Sequence, residues 1–186
     1  MTGARIATTT RILTTAANLF SAQAYANVSV DQIAQRAGIT KMTLYQHFRS
    51  KDALALECLR MRLARREEKL DRFLAGLASG ADPLLAIFDW LEAWLDPKDF
   101  RGCSFVKAVN ELSVVLPEVR EIALEAKRRI RQRFAALARH SGRKRPKELA
   151  QELALLFEGA QSLALIEGSA RPAQVAKRVA TLLLQA

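Results

Sequence analysis

Residues 29–48 read SVDQIAQRAGITKMTLYQHF. Ser29 stands three residues before Gln32, which is the spacing of a capping box and predicts the start of a helix. Gly38 should end that helix, because only glycine adopts a left-handed turn at low cost. Thr40 can then cap a second short helix. Two short helices joined by such a turn are typical of a helix-turn-helix.

The second of these helices is predicted to carry an outward face without a carboxylate. Leu44 and Phe48 recur at helical spacing and should face the core. The residues left outside are Lys41, Met42, Thr43, Tyr45, Gln46 and His47. Their cation, hydroxyls, amide and imidazole suit a phosphate-lined groove, although an ordinary solvated helix pair remains open on these residues alone. Lys51 falls in the first turn of the next helix, where a cation is unfavourable unless a phosphate lies nearby.

The composition agrees with a basic, globular protein. The chain has 186 residues, 50% of them hydrophobic, and a net charge of +10. Such a charge favours an anionic partner, which can be a nucleic acid, an acidic protein or a membrane surface. We expect a cytoplasmic protein, since no signal-like or membrane-length apolar run is apparent. Two cysteines and two histidines give no disulfide framework and no metal-ligand spacing, so we expect neither metal nor cofactor.

Helix-favouring residues dominate the whole chain, and no alternating strand pattern occurs. The sequence therefore predicts an all-α fold of about nine helices. Their expected spans are 5–23, 30–37, 41–47, 51–75, 83–95, 103–115, 117–141, 146–168 and 172–184.

Two segments resemble a known family. Residues 28–34, VSVDQIA, and 37–54, AGITKMTLYQHFRSKDAL, strongly resemble the N-terminal DNA-binding region of TetR-family transcriptional regulators. The resemblance implies a helix-turn-helix domain over 1–50 and a helical ligand-binding and dimerisation domain over 51–186. It places at the family's DNA-contact positions Thr40, Lys41, Met42, Thr43, Tyr45, His47 and Lys51, with Ser29 where a hydroxyl often meets a phosphate.

A weaker resemblance covers residues 101–111, RGCSFVKAVNE, which are similar to a Gly-Cys-x-Phe-x-x-Ala-x-x-Glu pattern of one branch of the family. Lys107 stands where that pattern has Asn, and Asn appears at 110 instead. The ligand of that branch is therefore not carried over. Cys103, at a predicted helix N-terminus, could form a thiolate, but a small packed residue is the favoured interpretation.

Large apolar residues between Met61 and Phe157 are candidates for a small-molecule pocket, with plain core packing as the alternative. The candidate lining residues are Met61, Trp90, Trp94, Phe105, Val109, Asn110 and Phe157.

The last two predicted helices carry wide apolar stripes that favour a four-helix bundle between two subunits, although they could instead close the core of one chain. The candidate dimer residues are Leu149, Leu153, Leu156, Ala160, Leu163, Ala164, Val175, Val179, Leu182 and Leu183.

Together these features predict a homodimeric DNA-binding repressor that a small-molecule ligand releases from a palindromic operator. An architectural DNA-binding protein that senses no ligand is the first alternative. A helical enzyme is the second, which the missing P-loop and Gly-rich nucleotide fingerprints disfavour.

Overall fold

The structure is a computed structural model that describes residues 3–96, 98 and 100–185. Within this part of the chain it contains nine α-helices, one short 3-10 turn at Tyr25–Asn27 and no strand. The helices are α1 (Gly3–Ala22), α2 (Val30–Arg36), α3 (Lys41–His47), α4 (Lys51–Ala75), α5 (Pro83–Trp94), α6 (Ser104–Leu112), α7 (Glu118–His140), α8 (Pro146–Glu167) and α9 (Arg171–Gln185). The prediction of an all-α fold with about nine helices is confirmed.

Local signals in the sequence set most of the helix ends. Gly38 has a φ of 63°, which the turn after α2 requires. Asp82 accepts a hydrogen bond from the Leu84 N–H, and Pro83 occupies the first position of α5. Helix α6 ends at Leu112, three residues before the predicted 115, and residues 113–115 form a turn.

The chain divides into two compact units. The N-terminal unit comprises the chain up to Arg65 together with Ser104–Ala123, and the C-terminal unit comprises Arg66–Cys103 and the chain from Leu124 onward. These units are defined by packing alone. The functional boundary near residue 50 stays a prediction.

The core of the N-terminal unit fixes which side of α3 faces outward. Ile12 of α1, Ile33 of α2, Leu44 of α3 and Leu54 of α4 are fully buried in one cluster. Phe48, at the end of α3, is also buried there. Both predicted inward residues of the second short helix, Leu44 and Phe48, therefore face the core, and the opposite side of α3 is left for other contacts.

The C-terminal unit is built around three phenylalanines from α5, α7 and α8. The ring of Phe134 lies 5.8 Å from that of Phe88 and 6.4 Å from that of Phe157, measured between centroids. Helix α8 has the length and composition that would let it cross a membrane, but 44% of its most apolar window is buried in the protein.

Candidate nucleic-acid interface

Two hydroxyl residues cap the helices of the helix-turn-helix. Ser29 Oγ accepts a hydrogen bond from the Gln32 N–H at 3.0 Å, and Thr40 Oγ1 accepts one from the Thr43 N–H at 3.1 Å. A hydroxyl that accepts in this way still has its own proton to donate. Ser29 can therefore cap α2 and donate to an outside acceptor at the same time.

The outer face of α3 is exposed. The Met42 side chain is 72% exposed and that of Tyr45 46% exposed, while Lys41 and Gln46 are also on the surface. Thr43 and His47 are half-buried. The exposure that the helical spacing predicted for α3 is therefore present, and none of the residues from Lys41 to His47 is acidic.

Helix α2 nevertheless brings one carboxylate to this face, which the sequence analysis did not foresee. The Lys41 ammonium lies 3.0 Å from Asp31, and both side chains are more than half exposed. This contact raises the pKa of Lys41, chiefly through the hydrogen bond to Asp31. Exposed pairs of this kind contribute little to stability, so a phosphate or a guanine can replace Asp31 as the partner of Lys41 at little cost.

Lys51 already has hydrogen-bond partners in two backbone carbonyls. The expectation that its charge is unfavourable without a phosphate therefore needs correction. Its ammonium donates to the carbonyls of Val28 at 2.9 Å and Tyr25 at 3.0 Å and lies 4.0 Å from the centroid of the Tyr25 ring. These acceptors already offset the unfavourable dipole at the start of α4. An ammonium has three N–H donors, so one remains for a phosphate.

Tyr25 joins Lys51 to the rest of the N-terminal unit. Its hydroxyl donates a hydrogen bond to Asp52, and its backbone N–H donates to the Glu111 carboxylate at 2.8 Å. Burial, followed by the bond to Asp52, raises the pKa of Tyr25 far above its ordinary range. Tyr25 is therefore a neutral donor at any physiological pH.

Lys107 of α6 stabilises the end of α1, a contact that the sequence did not predict. The Lys107 ammonium donates to the carbonyls of Phe20, Ser21 and Gln23 at 2.8–3.0 Å. It therefore closes the C-terminal end of α1, where helix carbonyls lack intrahelical partners. The departure from Asn at this position of the branch pattern was the one sequence signal that pointed to Lys107.

Comparison with known proteins agrees with this geometry. The profile described as "Bacterial regulatory proteins, tetR family" matches residues 12–58, which contain the two capped helices and the start of α4. Residues 12–58 are therefore similar to the N-terminal region of TetR-family regulators. The HTH-type transcriptional regulator EthR of Mycolicibacterium smegmatis is 33% identical over 85 residues. That match covers 46% of this chain and 38% of EthR, so the chain is matched to well under half of that regulator.

Two solved structures of transcriptional regulators extend the similarity to the whole fold. A TetR transcriptional regulator from Chloroflexus aurantiacus is 24% identical, with a TM-score of 0.85, and the match covers 99% of this chain and 97% of that one. A transcriptional regulator from Saccharomonospora viridis in complex with choline is 25% identical, with a TM-score of 0.75, over 91% of this chain and 93% of that one. The TetR fold thus includes α5–α9 as well as the DNA-binding region.

The candidate ligand residues fall in both units. Trp90, Trp94 and Phe157 lie in the C-terminal unit, where the Trp90 ring stacks on Trp94 at 5.6 Å and on Phe157 at 6.5 Å. Trp90 and Phe157 are buried, so they also serve as core residues. Met61, Phe105, Val109 and Asn110 belong to the N-terminal unit, and Asn110 is exposed. The role of these residues in ligand binding stays a prediction.

The predicted dimer residues divide into core and surface. Leu149, Leu153 and Ala164 are enclosed by the C-terminal unit itself, so they have no surface to offer a partner. The side chains of α8 and α9 that are exposed or half-exposed are Leu156, Leu163, Val175, Val179, Leu182 and Leu183, and Ala160 lies beneath them. Leu155 and Ile166, which the sequence analysis left out, are more than 70% exposed.

Cys103 lies next to the charged side chain of Lys127 in the C-terminal unit. Lys127 donates to the Cys103 sulfur at 3.3 Å and also pairs with Glu158. The two cysteines are free thiols, and no group of three or more potential metal ligands occurs among the described residues.

Proposed function

We propose that this chain is a TetR-family transcriptional regulator that places α3 in the major groove of its operator. The observation that carries the proposal is the exposed outer face of α3, a helix that has no acidic residue of its own and begins at the Thr40 cap. Short polar side chains on such a helix can donate to phosphates and read base edges. The net charge of +10 supports an electrostatic attraction to DNA.

Each contact has a distinct role in this proposal. Lys41 donates to guanine or phosphate after leaving Asp31, and Gln46 reads a base edge. Thr43 and Met42 supply methyl groups that can contact thymine. Tyr45 and the hydroxyl of Ser29 donate to phosphates, and the remaining donor of Lys51 does the same.

We also propose that the regulator is a homodimer joined through α8 and α9. An apolar groove of about 470 Å³ lies on these helices, and Leu163 is 51% exposed at its edge. Leu182, on α9, is 65% exposed. A contiguous apolar surface of this kind is unusual on a monomer and usual at a subunit interface. A second copy of the same surface would bury both grooves in a four-helix arrangement.

The proposed regulation is repression that a small molecule relieves in the cytoplasm. The choline complex of the Saccharomonospora viridis regulator supports small-molecule binding by a protein of this fold. In this chain the stacked Trp90 and Trp94 are suited to an apolar or cationic compound. The ligand shifts the DNA-bound form only by its different affinity for the bound and free states. No catalysis is part of this proposal.

DNA binding can be tested without knowing the operator. Duplexes selected from a random library by the purified protein are labelled and titrated by fluorescence anisotropy at several salt concentrations. Lys41→Ala should change base preference, and Tyr45→Phe should weaken binding by a similar factor on all duplexes. Lys69→Ala, at an exposed position of α4, is the matched control and should bind as the wild type does. Selection of no duplex above background would refute the proposal.

Dimerisation can be tested by sedimentation. The wild-type protein should sediment as two copies of a 20.7 kDa chain. Leu163→Glu places one charge from each subunit in the proposed interface, so the variant should sediment as a monomer. Leu124→Glu, at an equally exposed leucine of α7, should remain dimeric. A monomeric wild-type protein would contradict the proposed interface.

Ligand sensing can be followed through the two tryptophans, which are the only ones in the chain. A compound that binds beside Trp90 and Trp94 should change their fluorescence and release DNA over the same concentration range. DNA binding that no such compound affects would favour the architectural alternative.

A further inference from the structure

A hydrogen bond between helices controls the imidazole at the end of α3. His47 Nδ1 lies 2.8 Å from the Oγ1 atom of Thr9 on α1. The same Thr9 oxygen lies 2.9 Å from the carbonyl oxygen of Arg5, one helical turn earlier. Thr8 bonds its own i−4 carbonyl in the same way, at 3.1 Å. Both threonines thus follow the pattern in which a helix hydroxyl donates to the preceding turn.

Counting protons decides the form of the ring. A hydroxyl has one proton, and a carbonyl can only accept. If Thr9 donates to Arg5, the Thr9 oxygen accepts from His47 Nδ1–H, and two hydrogen bonds are made. If Thr9 donates to His47, one bond is made, and the two oxygens at 2.9 Å face each other without a proton between them. The first arrangement is therefore the stable one, with Nδ1 protonated.

The second ring nitrogen is then an acceptor. Nε2 of His47 has no hydrogen-bond partner among the described residues, and it is not a fully buried atom. When the ring is neutral and Nδ1 carries the proton, Nε2 has a lone pair, which repels a phosphate oxygen. We propose that Thr9 is a positioning residue that holds His47 in the Nδ1–H form, so that His47 bonds a DNA phosphate only after Nε2 gains a proton. This inference rests on the proposed DNA binding.

Among the described residues, no carboxylate of the surrounding elements pairs with His47. The charged and titratable groups on α1, α2, α3 and the start of α4 are Arg5, Arg11, Asp31, Arg36, Lys41, Tyr45, Arg49, Lys51 and Asp52. Asp31 pairs with Lys41, and Asp52 accepts from Tyr25. Arg5 donates to the Gln46 carbonyl at 3.5 Å. The counter-charge for protonated His47 therefore comes from the DNA.

The sign of the pH effect follows from this. The DNA-bound state holds one more proton than the free state, so raising the pH opposes binding. Linkage to one proton limits the loss of affinity to about tenfold per pH unit.

The ring form can be measured in the DNA-free protein by long-range ¹H–¹⁵N correlation NMR of the histidine side chains at pH 8. The chain has two histidines, so His140→Gln assigns the spectrum. We expect the Nδ1–H form for His47 in the wild type and in Thr9→Ser, which keeps the hydroxyl. Thr9→Val should shift Nε2 toward its protonated form. An Nε2–H ring in the wild type would overturn the inference whether or not DNA is bound.

The effect on DNA binding can be measured by fluorescence anisotropy with a selected duplex between pH 6 and 8.5. The wild-type Kd should rise with pH, by up to about tenfold per unit. His47→Gln cannot gain a proton and should lose this dependence, and Thr9→Val should reduce it. An equal pH dependence in His47→Gln would overturn the inference. Failure to select any duplex would instead count against the proposed function, and the NMR result would still decide the role of Thr9.

Discussion

Lys107→Met should destabilise the N-terminal unit by about 2 kcal/mol. All three ammonium donors of Lys107 are used, on the carbonyls of Phe20, Ser21 and Gln23. A buried hydrogen bond from a charged donor contributes about 1.5–3 kcal/mol. Because the Lys107 side chain is 28% exposed, water can hydrogen-bond to the carbonyls that the substitution releases, and this reduces the loss of stability. The favourable dipole interaction at the end of α1 adds about 0.5 kcal/mol. The ion pair with Glu111, at 3.9 Å, adds little.

Methionine keeps the length and the apolar stem of the lysine, so the measured loss reports the ammonium contacts. Urea unfolding followed by far-UV circular dichroism gives the free energy of unfolding for both proteins at equal concentration. Lys147→Met, at an exposed position of α8, is the control for loss of a surface charge and should change stability by less than about 0.5 kcal/mol. If Lys107→Met lowered the free energy of unfolding by no more than this control, the stabilising role of Lys107 at the end of α1 would be refuted.

Three further outcomes can be measured directly. Thr40→Ala removes the cap of α3 and should lower the free energy of unfolding by about 1 kcal/mol, as urea titration would show; an unchanged midpoint would contradict it. Burial raises the pKa of Cys58 to about 12. At pH 8 a thiol reagent should therefore modify Cys103 rapidly and Cys58 only on unfolding. Equal rates of modification of the two thiols would contradict this. Phe157→Ala empties the centre of the C-terminal unit and should cost about 3–5 kcal/mol in the same urea assay, where a loss below 1 kcal/mol would be a failure.

The fold could be predicted because its signals are local. Ser29 with Gln32, Gly38 and Thr40 each act within a few residues of their own position, and the structure uses each of them as expected. The spacing of Leu44 and Phe48 also suffices to orient α3. The 3.6-residue period relates each of these side chains to one face of a short helix.

The partners of the site residues could not be predicted, because they come from distant parts of the chain. Nothing in the local sequence places Asp31 beside Lys41, or the carbonyls of Tyr25 and Val28 around Lys51. Thr9 lies 38 residues from His47 and is one of three consecutive threonines. Such contacts depend on how the helices pack.

The apolar stripe of α8 did not show from sequence which of its residues are core and which are surface. Leu153 is fully buried, while Leu155 is 75% exposed two residues later. A helix that is apolar on most of its circumference carries little information about which side meets its own core and which side meets a partner. The sequence therefore indicated an interface on α8 and α9 but could not separate its surface residues from the core.

The most direct test of the account asks whether α3 touches DNA. The photoreactive residue benzoylphenylalanine replaces Met42, which is 72% exposed on the outer face of α3, and in a second protein replaces Lys69 of α4. Each protein is irradiated with a labelled duplex that the wild type has selected. We predict a covalent protein–DNA product from position 42 and none from position 69. Equal yields from both positions, or no product from position 42 under conditions where the duplex is bound, would contradict the placement of α3 in the groove.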